Sequence, residues 1–144
     1  MTYIKLLILI IAIFFPIFSF SQISFFKTFG GINEDNGYSV IQTFDEGYII
    51  TGFSKSFNNG YKDIYVIKTN KYGDTLWTKI YAGIGDDNGF NIKQTSENEY
   101  ILGGTYFMKL DSMGNLVFSK QYSGYGNGYI SIQQTNDNDY WLTL

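Results

Sequence analysis

The sequence predicts an all-β fold built from repeated units of four short antiparallel strands. Three observations predict it: a composition rich in aromatics and glycine, a self-similarity with a period of about fifty residues, and turn residues set between short apolar runs. Thirteen Tyr, thirteen Phe and two Trp stand against one Pro and sixteen Gly. Aromatic side chains suit the pleated, half-buried surface of a strand, and glycines serve the many turns that short strands require.

Taken in chain order, the first element is an export signal over residues 1–21. Met1 to Lys5 gives a short positive start, Leu6 to Phe18 is an apolar run interrupted only by Pro16, and Ser19-Phe20-Ser21 supplies the small-x-small pattern before Gln22. A transmembrane anchor needs about 20 apolar residues, and this run has 13. Cleavage is therefore expected at or near Gln22, leaving no integral membrane span in a secreted or cell-surface protein.

Residues 22–144 carry the repeat. A shift of 52 lays Phe25 to Gly31 on Trp77 to Gly83, Asp35-Asn36-Gly37-Tyr38 on Asp87-Asn88-Gly89-Phe90, and Tyr48 to Gly52 on Tyr100 to Gly104. Further on, Lys68, Gly73, Trp77, Lys79 and Tyr81 match Lys109, Gly114, Phe118, Lys120 and Tyr122 at a shift of 41. The eleven missing residues fall between Ser54 and Tyr65, where the first copy has a loop around Asn58-Asn59-Gly60. The copies run over about 32–83, 84–124 and 125–144, and the third is partial. Leu144 falls where Gly52 and Gly104 lie in the other copies, so a fragment of a longer protein is one reading of the chain.

Within a copy, strands are expected at Tyr38 to Thr43, Gly47 to Ser54, Asp63 to Thr69 and Thr75 to Tyr81. Asp45-Glu46-Gly47, Glu97-Asn98-Glu99 and Asp137-Asn138-Asp139 mark tight hairpins between the first two strands. Asn70-Lys71-Tyr72-Gly73 and Asp111-Ser112-Met113-Gly114 place an Asx at the first and a Gly at the fourth turn position. Ile49-Ile50 and Tyr65-Val66-Ile67 are apolar on both faces, as in sheets covered on both sides. Four-stranded sheets stacked between like neighbours, with this period, predict β-propeller-like blades, about two and a half of them in an incomplete ring.

The run G-Y-S-V-I-Q-T, then G-Y-I-I-T-G, then D-I-Y-V-I-K-T-N-K-Y-G-D-T-L-W-T-K-I-Y, then G-x-x-x-D-x-G, resembles the tandem repeats of secreted bacterial β-propeller proteins associated with type IX secretion. The resemblance covers Phe25 to Leu144. It implies an exported repeat protein, and the repeat brings no catalytic set from which a residue could be carried over.

Composition excludes several function classes. The chain has no Cys and no His, which removes disulfides, thiolate nucleophiles, structural zinc and every Ser-His or Cys-His arrangement. Its ten basic residues are all Lys, the net charge is −3, and loss of Lys5 leaves nine Lys against thirteen acids, or −4. A nucleic-acid partner is not expected from that balance. No metal, cofactor or catalytic residue is predicted.

The loops Glu34-Asp35-Asn36 and Asp86-Asp87-Asn88 lack the alternating acid spacing of a calcium loop and are expected to be solvated Asx turns. Trp77, Tyr81, Tyr48 and Tyr100 recur in the copies, which points to packing between sheets rather than to a sugar platform. Phe57, Tyr61 and Tyr106 lie outside the repeat match, in or beside the variable loop, and are the candidate ligand-binding residues. The expected function is that of a non-enzymatic scaffold with protein or glycan partners. The alternatives are a carboxylate-dependent enzyme acting on polysaccharide, or a fragment without a function of its own.

Overall fold

The structure, a computed structural model, describes residues 25–57, 60–121, 131–135, 137 and 139–143. The predicted signal, the Asn58-Asn59 part of the variable loop and the start of the third copy lie outside the described residues. Among those described there are ten strands and no helix: β1 (Asp35–Gln42), β2 (Tyr48–Ser54), β3 (Asp63–Thr69), β4 (Thr75–Tyr81), β5 (Gly89–Gln94), β6 (Tyr100–Gly104), β7 (Tyr106–Leu110), β8 (Leu116–Gln121), β9 (Ser131–Gln134) and β10 (Tyr140–Thr143). They form three open antiparallel sheets. Sheet 1 has the order β1-β2-β3-β4, sheet 2 the order β5-β6-β7-β8, and sheet 3 contains β9 and β10.

Local chemistry sets the turns. Between β3 and β4 the Asn70 Oδ1 accepts the N–H groups of Tyr72 (2.8 Å) and Asp74 (3.0 Å), and the Gly73 N–H closes the turn on the Asn70 carbonyl. Asp111 does the same between β7 and β8, accepting from Met113 and Asn115. The predicted Asx-to-Gly turns are therefore present in both sheets. The hairpins joining the first two strands of each sheet close with the N–H of Thr43, Thr95 and Thr135 on the carbonyls of Gly47, Glu99 and Asp139, each at 2.9 Å.

β1 starts three residues before the predicted Tyr38, because a bulge between Gly37 and Ser39 lets the pairing continue to Asp35↔Ser54. A matching irregularity lies between Gly89 and Asn91. Opposite each bulge stands a glycine, Gly52 or Gly104, at which any Cβ would run into the carbonyl of Asn36 or Asn88.

Sheet 2 is covered on both faces. Ile92, Tyr100, Leu102, Met108 and Leu110 pack against Ile49, Ile64 and Val66 of sheet 1, with Ile41, Trp77 and Tyr81 at the margin. On the opposite face Ile101 and Phe107 pack against Ile132 of sheet 3, flanked by Tyr140 and Leu142. Each fully buried aliphatic side chain contributes roughly 1.5–3 kcal/mol relative to leaving it exposed. This double cover is why β6 reads YILGG with no polar side chain and is buried throughout. β5 lies over β1 and β2, and β9 over β5 and β6, so first strands sit near first strands from sheet to sheet.

Candidate functional site

Strand alternation places Lys68 on the face of sheet 1 that meets sheet 2, opposite Ile49 and Trp77 in the ladder. Its ammonium is buried, with 4% of the side chain exposed, and must find partners there. It donates to both carboxylate oxygens of Asp45, at 2.8 and 3.0 Å, and to the Thr69 carbonyl at 2.9 Å. Asp45 also accepts from the Thr43 hydroxyl and from the Gly47 N–H (3.1 Å). Burial pushes the Asp45 carboxyl up, but Lys68, Thr43 and Gly47 more than offset it and hold its pKa at about 2.

Sheet 2 solves the same problem differently. Lys109 occupies the Lys68 position and pairs with Glu99 at 2.6 Å, where Glu99 stands at the position of Gly47. A Cβ at Gly47 would strike both the Lys68 ammonium and the Thr69 carbonyl. The acid at position 45 with Gly at 47, or the acid at 99 itself, are thus two ways of neutralising one lysine.

Around the Asp45–Lys68 pair lies an open cleft of about 540 Å³ between sheets 1 and 2. Leu76 and Trp77 of β4, Gln94 of β5, Asn98 and Tyr100 of the next hairpin, and Ser112 with Met113 of the β7–β8 turn line it. Trp77 packs edge-on against Tyr100, ring centroids 6.3 Å apart, and Gln94 accepts the Phe44 N–H at 2.8 Å. Burial, with the nearby Asp45 charge adding to it, pushes the Tyr100 phenol up to about 12. Asp45 is the one carboxylate lining this cleft among the described residues.

The residues singled out from sequence fall in different places. Phe57 is half-exposed and packs on Tyr65, centroids 5.3 Å apart, on the face of sheet 1 away from sheet 2. Tyr61 is exposed. Tyr106 is partly buried against the core between sheets 1 and 2, and burial, then the charge of Asp87, raises its pKa. None of the three lines the cleft.

Glu34, Asn36 and Asp86 of the acidic loops are exposed, and the expected solvation is corrected only for Asp87 and Asn88. Asp87 and Asn88 are buried, and the Asp87 Oδ2 has no hydrogen-bond partner. Burial raises the Asp87 pKa, Asp63 and Asp86 add to the rise, and the Gly83 N–H opposes it. Its counterpart Asp35 is satisfied instead, accepting from the Ser54 and Ser56 hydroxyls and the Gly31 N–H. In sheet 2, β6 ends at Gly104 and Tyr106 already belongs to β7, at the position of Tyr65, so no serine stands where Ser54 does. Among the described residues no group of three or more acids is placed to hold a metal ion.

The cleft itself was not legible beforehand. The recurrence of Lys68 and Lys109, each facing an acid in the adjacent hairpin, was the available signal. No protein-family model matches the chain, and no curated protein matches it. Among the described residues no helix is long and apolar enough to cross a membrane.

Proposed function

We propose that the chain is an exported, non-enzymatic repeat scaffold of propeller-like blades that acts by contact, with the cleft between sheets 1 and 2 as its glycan- or peptide-binding surface. The β1-to-β4 order within a sheet, and first strands stacked near first strands between sheets, support the blade reading. The observation that carries the binding reading is the closure of the cleft's charges on one another. Lys68 uses its three donors on Asp45 and the Thr69 carbonyl, and Asp45 accepts from Lys68, Thr43 and Gly47.

An Asp with a pKa of about 2 is a poor proton donor near neutral pH, and glycoside hydrolysis needs two carboxyl groups across the bond. What the cleft offers a ligand is the Leu76 and Met113 side chains, the amides of Gln94 and Asn98, and the Trp77 ring, which packs between the sheets as expected yet stays partly exposed at the cleft. An aromatic face beside amide donors and acceptors suits a sugar ring or a short polar peptide. Retention on immobilised polysaccharides tests this, with Ser112→Trp as the blocking variant because Ser112 is exposed at the cleft rim. Retention of the parent and loss of at least 10-fold in the variant is expected; equal retention of both removes the cleft from the account.

A further inference from the structure

Sheet 1 has a second apolar face, and the molecule itself shows what covers a face of this kind. Ile41 and Ile49 point into the contact with sheet 2, so the alternate residues Val40 and Ile50, paired in the ladder, lie on the other side. The corresponding pair in sheet 2 is Ile92 and Leu102, 1% and 0% exposed beneath sheet 1. Val40 is 61% exposed, and beside it lies a depression of about 320 Å³ lined by Gly37, Tyr38, Ser39, Val40 and Ile50.

Sheet 3 presents the complementary face. Ile132, Tyr140 and Leu142 turn towards sheet 2, which leaves Trp141 and Thr143 on the opposite side. Ile49 and Ile101 occupy the Trp141 position in sheets 1 and 2, and each is 0% exposed because another sheet lies on it; Trp141 is 70% exposed.

A second, independent observation marks the outer face of sheet 1 as a receiving face. Residues 25–31 lie on it as β4 lies on sheet 2. Phe25 meets Tyr48 edge-on at 5.6 Å, as Trp77 meets Tyr100. A Cβ at Gly73 would strike the Phe25 ring, as one at Gly114 would strike Trp77. Lys27 reaches Asp74 at 2.9 Å, as Lys79 reaches Asn115 at 3.2 Å. Residues 25–31 thus lie on sheet 1 as β4 lies on sheet 2, and among the described residues sheet 3 contains two strands, the counterparts of β1 and β2.

We propose that copies of this chain associate head to tail, the Trp141 face of sheet 3 in one copy covering the Val40 and Ile50 face of sheet 1 in the next. The composite sheet then has β9 and β10 from one copy and residues 25–31 from the other, with the third position filled by neither copy's described residues. Because the two surfaces differ, the contact is heterologous, closing into a ring or running on as a filament according to the rotation it imposes. The inference does not depend on the ligand-binding cleft, which lies between sheets 1 and 2.

The chain has no cysteine, so introduced thiols report the contact cleanly. Full-length chains carrying Val40→Cys and Trp141→Cys are mixed under differently tagged backgrounds and treated with a short bismaleimide. Thr143→Cys serves as a second reporter in case loss of Trp141 unfolds sheet 3. Mixed adducts are expected at least 10-fold above Val40→Cys self-adducts, and Val40→Lys in the partner of the Trp141→Cys chain should reduce association at least 10-fold without moving its denaturation midpoint. Self-adducts as abundant as mixed ones, adducts no more frequent than with an unrelated thiol protein, or sedimentation as a monomer at every concentration would each overturn the proposal.

Discussion

Asp45→Asn is the sharpest probe of how sheet 1 is held together. The substitution keeps the shape and one acceptor oxygen but removes the negative charge, leaving the buried Lys68 ammonium with neutral acceptors, the amide oxygen and the Thr69 carbonyl. Breaking a fully buried pair costs about 3–5 kcal/mol, and an exposed one about 1 or less. Lys68 belongs to the first class, while the Asp45 side chain is 56% exposed and screened by water, so the expected loss is about 2 kcal/mol. Lys68→Met removes the buried charge and keeps the straight stem, so the double variant should return to within about 1 kcal/mol of the parent. The assay is a double-mutant cycle by urea denaturation at neutral pH.

The pH dependence has a definite sign. The Asp45 pKa is lowered in the fold, from 3.8 to about 2, so its contribution is complete above the ordinary value and is lost as pH falls towards 2. The gap between parent and Asp45→Asn should therefore narrow over that window. A single variant as stable as the parent, together with zero coupling in the cycle, would refute the reasoning.

Two further substitutions test other parts of the account. Asp87 has a raised pKa, so its contribution is present below the ordinary 3.8 and is lost as pH rises through the folded value; Asp87→Asn should stabilise the chain by about 1 kcal/mol at neutral pH and have no effect in acid, read from denaturation midpoints at both. Gly52→Ala and Gly104→Ala drive a methyl into the Asn36 and Asn88 carbonyls and should each cost about 2–3 kcal/mol in thermal or urea unfolding, where alanine at an unconstrained strand glycine would be tolerated.

The strand pattern was largely legible because it rests on local chemistry. β3 and β4 begin and end where the apolar runs and the Asn70-to-Gly73 turn place them, and the Tyr100 strand, YILGG, follows the start of the Tyr48 strand, YIITG. The start of β1 was missed because a bulge is a pairing event between Gly37 and Gly52, fifteen positions apart, and leaves only a glycine in each strand as its trace.

The site was less legible for the same reason. That Lys68 is neutralised from the Asp45 hairpin, with Gly47 clearing the path, depends on three elements meeting. Asp87 looked like one more polar turn residue. Its burial is local to Asp87 and Asn88, while Ile84 and Asp86 beside them are exposed, and it goes with the Asp87 N–H meeting the Lys62 carbonyl of another loop. Aromatics outside the repeat match, Phe57 and Tyr106, turned out to lie on opposite faces of sheet 1, a separation that no linear pattern encodes.

The measurement that tests the central claim most directly follows binding and turnover in one sample. The chain is incubated with the polysaccharide that retains it best, tryptophan fluorescence is titrated to saturation, and soluble products are followed by chromatography over many hours. A contact scaffold predicts a saturable fluorescence change that Ser112→Trp abolishes, with product no higher than in the protein-free control. Steady product release by the parent chain, or saturation that Ser112→Trp leaves intact, would contradict it.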